Sequence, residues 1–363
     1  MALYLADDGV TPVTTQSMIK AFRSCHREAL YKYHERLSPK VASTPLTRGK
    51  WVHSLLEDHY NGEDWKPTHE KMKLQFSKLF DEEKEKLGDL PNEIDMLMKS
   101  YFWHYGDPEV EGTEWEVIEV ELLLEHLMPN GHLFRGKFDM LVMIDGRLWL
   151  VDHKTHKKFP EWAYRMFDEQ STMYTWLARK CGIPVEGFIW NYINTSGFPK
   201  YNVLKDGSNF YKKSLDADST YPALVAAVKK AQKEFPDTFL KDPKDRRAVK
   251  ARLQQLKDER WRGPNDMPRS PFFRRDFLSK DDDLIERTLK SVMRTSEAMH
   301  SYDFSDPDAV ERDINQCKGF MCNFKDLSLA DLVQGDSELL KKRNYKKSDP
   351  LAYHNGNDNL KDE

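Results

Sequence analysis

The feature that most constrains this chain is the stretch RGKFDMLVMIDGRLWLVDHKT, Arg135 to Thr155. Two apolar runs flank Asp145-Gly146, and each run ends in a lone aspartate. Asp-Gly between apolar runs is a strong hairpin signal, because the favoured two-residue loop needs positive φ at both central residues. With that loop Ile144 faces Arg147. Counting outward, Asp139 then faces Asp152 in a pair without backbone hydrogen bonds, where Cβ atoms come within about 4.5–5.5 Å. Lys154, two residues beyond Asp152, shares its face. Alternation puts Leu141, Met143, Leu148 and Leu150 on the aspartate face. It puts Phe138, Met140, Val142, Ile144, Trp149 and Val151 on the other. Both faces are apolar, which predicts a hairpin inside a layered α/β fold.

Two facing carboxylates in such surroundings repel each other and resist desolvation. A shared proton, the adjacent lysine or a divalent cation would relieve them. Hard oxygen ligands near water suit Mg²⁺ or Mn²⁺ best. A structural Asp–Lys pair at a strand end is the plainer alternative.

The remaining chain frames this hairpin. Residues 14–37 read as one helix with a Thr or Ser N-cap, about 47–60 as a second, and 67–105 as two helices broken near Gly88–Pro91. From Glu114 the period shifts to a strand, WEVIEVELLLEHL, on which Glu119 and Glu121 could reach toward the aspartates. Residues 160–180 return to helical spacing and stop at Gly182, and VEGFIWNYI is a short buried strand. Residues 205–235 hold a loop and a helix, and 281–300 another helix. The run 244–262 carries eight Lys/Arg against three Asp/Glu, which reads as a solvated helix or a DNA-tracking surface. From Gly335 the polar tail, 336–363, is expected to be poorly ordered. The expected organisation is a single domain over 1–335. Its core lies at about 114–195, with helical additions over 14–105 and 205–330.

Composition narrows the function. In 363 residues, 39% apolar and 32% charged, no apolar run approaches a membrane span. MALYLADDGV lacks the basic-then-apolar pattern of a secretory leader, so a cytoplasmic location is expected, the host cytoplasm for a phage protein. The net charge of −4 means that any phosphate-binding surface is local. Four cysteines, Cys25, Cys181, Cys317 and Cys322, do not suggest a disulfide scaffold.

Asp139 followed by Asp152-His153-Lys154-Thr155 resembles the D…(D/E)xK core of the PD-(D/E)xK nuclease superfamily, and within it the RecB-like branch. DEQSTMYTWLARKCG places Gln170 and Tyr174 as that branch's QxxxY motif. RGKWVHSLLEDHY matches its glycine-then-histidine helix, and SMIKAFRSCHREALYKY its N-terminal helix with a single cysteine. The match covers roughly 14–195, with a weaker echo at 317–328. It implies a restriction-endonuclease-like core, a mixed central sheet flanked by helices with helical N- and C-terminal additions. It also implies a Mg²⁺- or Mn²⁺-dependent DNA nuclease, an exonuclease of recombination, repair or phage genome processing. A structure-specific endonuclease and a DNA-binding or assembly subunit with a vestigial site are the rival readings.

By the same resemblance Asp139 and Asp152 hold the metal, with His53 and the His153 carbonyl as further ligands, and Lys154 stabilises charge. Gln170 and Tyr174 position the lysine or the DNA backbone. From the residues alone, His53 is equally a buried histidine, Gln170 a surface residue and Tyr174 core, and His153 faces away by strand parity. His156 lies close enough to be a substrate contact. Some RecB-like nucleases carry a 4Fe–4S cluster, and Cys25, Cys317 and Cys322 fit its arrangement, but the fourth position is Ser328, a poor iron ligand. A cluster that keeps the serine or takes an external fourth ligand, a zinc ion, or buried thiols packing as small apolar groups are the open readings. FFRRDF, with Phe273, Arg274 and Arg275, is a candidate DNA surface or a plain strand edge. DNA is the implied partner, with a helicase, recombinase or single-strand-binding protein beside it.

Overall fold

The hairpin forms in the register its loop requires. Asp145 and Gly146 take φ of 50° and 72°, and the ladder runs from Ile144↔Arg147 to Met140↔Val151. The computed structural model describes residues 2–106, 115–258, 270–318 and 322–352.

The chain begins with β1 (Val13–Thr14), α1 (Gln16–Ser24), α2 (His26–Ala29), a π-helical turn at Leu30–His34 and β2 (Leu37–Pro39). Helices α3 (Thr44–Tyr60), α4 (Trp65–Ser77), α5 (Asp81–Leu87) and α6 (Leu90–Tyr105) follow. An antiparallel meander comes next: β3 (Glu116–Leu127), β4 (Leu133–Ile144) and β5 (Arg147–His156). Then come α7 (Trp162–Met166), α8 (Glu169–Lys180), β6 (Val185–Asn194), α9 (Lys212–Leu215), α10 (Tyr221–Glu234) and α11 (Pro243–Asp258). The chain continues through β7 (Phe273–Ser279), α12 (Asp282–Ser301), α13 (Ile314–Lys318), α14 (Lys325–Leu332), α15 (Ser337–Asn344) and β8 (Tyr345–Lys347).

The central sheet is mixed, in the order β1-β4-β5-β6-β7 with β3 on the far edge of β4. β5–β6 and β1–β4 are parallel, the other pairs antiparallel. One edge of β4 is shared. β1 pairs with it only at Leu133 and Phe134, and β5 only from Met140 to Ile144. Residues 135–139 therefore lie in a fork with no strand on that side, and Asp139 sits at its apex. Alternation breaks there too. Phe138, expected on the opposite face, packs edge-to-face on Tyr174 of α8 at 4.6 Å.

α8 and α12 cover one sheet face, burying Leu141, Leu150, Phe188, Met173, Leu177 and Val292. Met140, Val142, Trp149, Val151 and Ile189 fill the other, with Tyr60 and Trp115 packed against them. Two close approaches require glycine. A Cβ on Gly49 of α3 would meet Thr155 Oγ1 of β5 at 3.3 Å, and one on Gly136 of β4 would meet Leu177 and Tyr174 of α8 at 3.1 Å. These contacts set the two helices that flank the aspartates.

Three expectations need correction. The helix expected over 14–37 breaks at Cys25, which is extended, because the Arg27 N–H leaves the helical pattern to bond Glu311 O. The segment 67–105 forms three helices; the break at Gly88 is as expected, and another falls after Ser77. The tail is ordered as far as it is described: α15 forms, and β8 pairs with β2 through Leu37↔Lys347. Its polarity misled because β8 is a short edge strand that buries only Tyr345. Residues 353–363 lie outside the described residues. The basic run becomes α11, anchored by buried Val249 and Leu256, and positions 259–262 lie outside the described residues. Among the described residues no helix is long and apolar enough to cross a membrane.

Candidate active site

Asp139 and Asp152 are the first opposed pair beyond the β4–β5 ladder, and both are buried, at 4% and 5% exposure. The ladder stops because β5 leaves β4 to run parallel beside β6 as far as His156. The orphaned His153 N–H is then taken up by the Asp139 carboxylate, N to Oδ2 at 2.5 Å. The carboxylate thus replaces the next rung of the sheet, which holds its side chain in one orientation. His53 of α3 faces the other oxygen, Nδ1 to Oδ1 at 3.2 Å. It stands one helical turn after Gly49, where α3 comes closest to β5.

Asp152 has different neighbours. Gln170 Nε2 donates to Oδ1 at 3.0 Å, and Lys154 Nζ lies 2.5 Å from Oδ2. That close ion pair leaves Oδ2 bound to the lysine alone. Tyr174, one turn on, is 4% exposed and wedged against Phe138 and Gly136, so its ring is core.

Burial pushes both carboxylates toward the neutral form, and the outcome differs. At Asp139 the His53 charge and hydrogen bond overcome burial and the pKa falls. At Asp152 burial, reinforced by the negative charge of Asp139, prevails over Lys154 and the pKa rises. Burial also disfavours charge on His53 and Lys154, but the aspartates outweigh it and raise both. Two acids and two bases therefore share one site, each base beside one acid.

Behind the site lies a polar network that the motifs do not mark. His153 is 2% exposed, and burial keeps it neutral, its pKa pushed down to about 3. Its Nδ1 lies 2.7 Å from Asn191 Nδ2, which donates to Tyr101 OH, itself 2.7 Å from Tyr60 OH. Arg275 Nη2 donates to Tyr60 OH at 3.3 Å, and its guanidinium stacks between Tyr105 and Trp115 at 3.6 and 3.5 Å. Two signals were available in the sequence. Asn191 is a polar residue inside an apolar strand, and Tyr60 lies seven residues after His53 on the same helix face.

The pattern of the PD-(D/E)XK nuclease superfamily matches residues 14–327. The chain belongs to that superfamily. No curated protein matches it. A PD-(D/E)XK chain is a metal-dependent nuclease by family, and a divalent metal is the usual cofactor. The donor set fits such an ion in its chemistry: two buried carboxylates beside an imidazole. The ligands are not gathered into a closed set. Among the described residues no three His, Cys, Asp or Glu are close enough to hold a metal. Asp139 is occupied by His53 and the His153 N–H instead.

The remaining candidates are placed as follows. Glu121 takes a left-handed φ of 57° in β3 and pairs with Lys137 at 2.5 Å. Burial and then Asp139 raise its pKa to about 7, so it borders the site as anticipated. Glu119 pairs across to Leu141 in the β3–β4 ladder. His156 is exposed and edge-on to Tyr192. FFRRDF is the edge strand β7, and its role as a DNA surface needs correction. Phe273 is 2% exposed and packs on Tyr101 and His104, and Arg275 is sandwiched by aromatic rings. Strand parity turned both inward. Arg274, on the catalytic face, remains a third exposed.

Cys25 is buried, and Cys317 and Cys322 are half-buried. Burial raises the pKa of the Cys322 thiol. Ser328 is 4% exposed in α14. Cys181 donates to Glu125 O at 3.5 Å, at the edge of the α8 core.

Proposed function

We propose that this protein is a Mg²⁺- or Mn²⁺-dependent DNA nuclease of the RecB-like kind, acting as an exonuclease. The observation that carries the reading is the pair of buried carboxylates at the strand fork with Lys154 on the same edge. A structural ion pair needs one acid and one base, and here two acids share a desolvated site. Asp139 and Asp152 would hold the ion, with His53 as the nitrogen ligand once it turns from Asp139. The ion would make water nucleophilic near neutral pH and draw charge from the phosphoryl oxygens.

The chain's own groups do the rest. The His153 N–H and Gln170 fix the two carboxylates. Lys154 keeps its proton in the field of both acids and presents an ammonium to the oxygens where charge grows. The ammonium lies over the Trp190 ring, 5.1 Å from its centre, a cation–π contact that helps to place it. The exonuclease mode, a role in recombination, repair or phage genome processing, and any cluster or zinc at Cys25, Cys317, Cys322 and Ser328 rest on the resemblance.

Incubation of wild type with linear and closed-circular DNA and either ion tests the reading. Shortening from ends supports an exonuclease, and cutting of closed circles an endonuclease. No cutting of either leaves a binding module. Iron and zinc analysis after anaerobic purification tests the thiol site.

A further inference from the structure

The segment between β5 and α8, residues 157–168, joins Lys154 directly to Gln170 and carries two bare rings. Tyr164 is 73% exposed and Phe167 82%. A solitary exposed aromatic needs no explanation, but these stand three residues apart on a connector that is tied down. Arg274 of β7 donates to Pro160 O at 2.9 Å, and Arg165 of α7 is ion-paired with Asp276 of β7. The backbone is held while the rings are left in water, which lowers the ordering cost of a ligand that uses them.

The connector and the strand it is tied to carry several cations. Lys154, Tyr192 and Arg274 form one row across β5, β6 and β7. The Arg274 guanidinium lies 5.2 Å from the Tyr192 ring and 4.7 Å from Phe159. Lys157 and Lys158 are exposed at the start of the connector. Of the nearby acids, Asp276 is neutralised by Arg165 and Arg274, and Asp168 caps α8 through Ser171 N–H at 2.8 Å. Glu161 is the exposed acid that remains. Exposed lysines and exposed rings on one connector, tied to Arg274 and following directly on Lys154, match the alternation of phosphate and base in an unpaired strand. A blunt duplex keeps its base faces stacked and offers the rings nothing.

We propose that the connector is a stacking platform for single-stranded DNA, with Tyr164 and Phe167 taking bases and Lys157, Lys158 and Arg274 taking phosphates. This deepens the nuclease reading and rests on it for the identity of the strand. The platform makes an unpaired segment, in place of intact duplex, the substrate at this site.

The test is binding in EDTA, independent of cleavage. Wild type and Tyr164→Ala/Phe167→Ala are titrated with a fluorescein-labelled oligothymidylate and with a blunt hairpin duplex. The expected result is at least about a tenfold loss for the oligothymidylate, with duplex binding retained. Tyr164→Trp/Phe167→Trp should keep wild-type affinity. Unchanged single-strand binding, an equal loss for both ligands, or a wild type that binds no single strand would overturn the platform. So would an elution shift showing that the rings bury a second copy of the chain. Both side chains are mostly exposed, so the thermal midpoint should not move, which separates lost stacking from lost folding. Digestion with Mg²⁺ is scored separately: a cutting enzyme whose binding ignores the rings fails only the platform, and a non-cutting protein that needs them fails only the nuclease reading.

Discussion

Two regions of this molecule bury charge, and they solve the problem differently. At the junction of the chain ends, Arg27 is 1% exposed and meets Asp331 at 3.0 Å, with Tyr31 bonded to the same carboxylate. One base and one acid, 304 positions apart, tie α2 to α14. At the strand fork two acids are buried together, their protonation pulled in opposite directions, with His53 and Lys154 beside them. The junction is an ion pair that holds a fold. The fork sets two acids against each other, with Asp152 pushed toward its neutral form, and a bound cation would favour both as carboxylates. Breaking the first should unfold the protein and leave its chemistry alone, and breaking the second should do the reverse.

The largest effect is expected at the fork. Asp152→Ala and Lys154→Ala should each lower the cleavage rate by about 10³ or more. The thermal midpoint should be unchanged or raised for Asp152→Ala, which removes a repelling carboxylate. Rates near wild type in either variant would end the comparison. Next is Asp331→Ala, which strands Arg27 in the core and should cost about 3–5 kcal/mol in urea unfolding. Activity per folded molecule should hold. Arg27 Nε and Nη2 already lack partners, so Arg27→Met combined with Asp331→Leu should recover most of the loss.

A pH measurement sharpens the junction. His300 on α12 accepts the Leu3 N–H at Nδ1, 3.2 Å, and its Nε2 lies 3.1 Å from Thr14 Oγ1, which calls for the neutral ring. Burial, with His132 nearby, lowers its pKa to about 4. The unfolded chain then binds the proton more readily. The contribution is whole above the unfolded pKa of about 6.5 and is lost as pH falls toward 4, up to about 3 kcal/mol. His300→Gln should flatten stability over that window in urea titrations at stepped pH. The smallest expected effect is Gln170→Ala, which frees Asp152 Oδ1. It should reduce activity about 10- to 100-fold without unfolding, the range for a residue that orients a ligand. A variant as active as wild type would assign Gln170 to packing.

Much of the site was legible because it is local. The turn at Asp145-Gly146 set the register, and the register brought Asp139 and Asp152 together at the end of the ladder. Gln170, Tyr174 and His53 were named by the family resemblance, and helical spacing adds only that Gln170 and Tyr174 share one face and Gly49 and His53 another. What escaped was remote pairing. β1 arrives from residues 13–14 and β7 from residues 273–279 to complete the sheet, and neither is foreseeable from the hairpin. The inward turn of Phe273 and Arg275 depended on which face of that edge strand the helices cover. Asn191, Tyr101 and Tyr60 became a network only when α3 and α6 packed on the back of the sheet.

The sequence by itself determined the hairpin, its register and the two acids at its open end, because turn chemistry and strand parity act over a few residues. Only the tertiary structure decided that the ladder would stop at those acids. There β1 and β5 share one edge of β4, and the gap between them leaves a peptide N–H that the Asp139 carboxylate must satisfy.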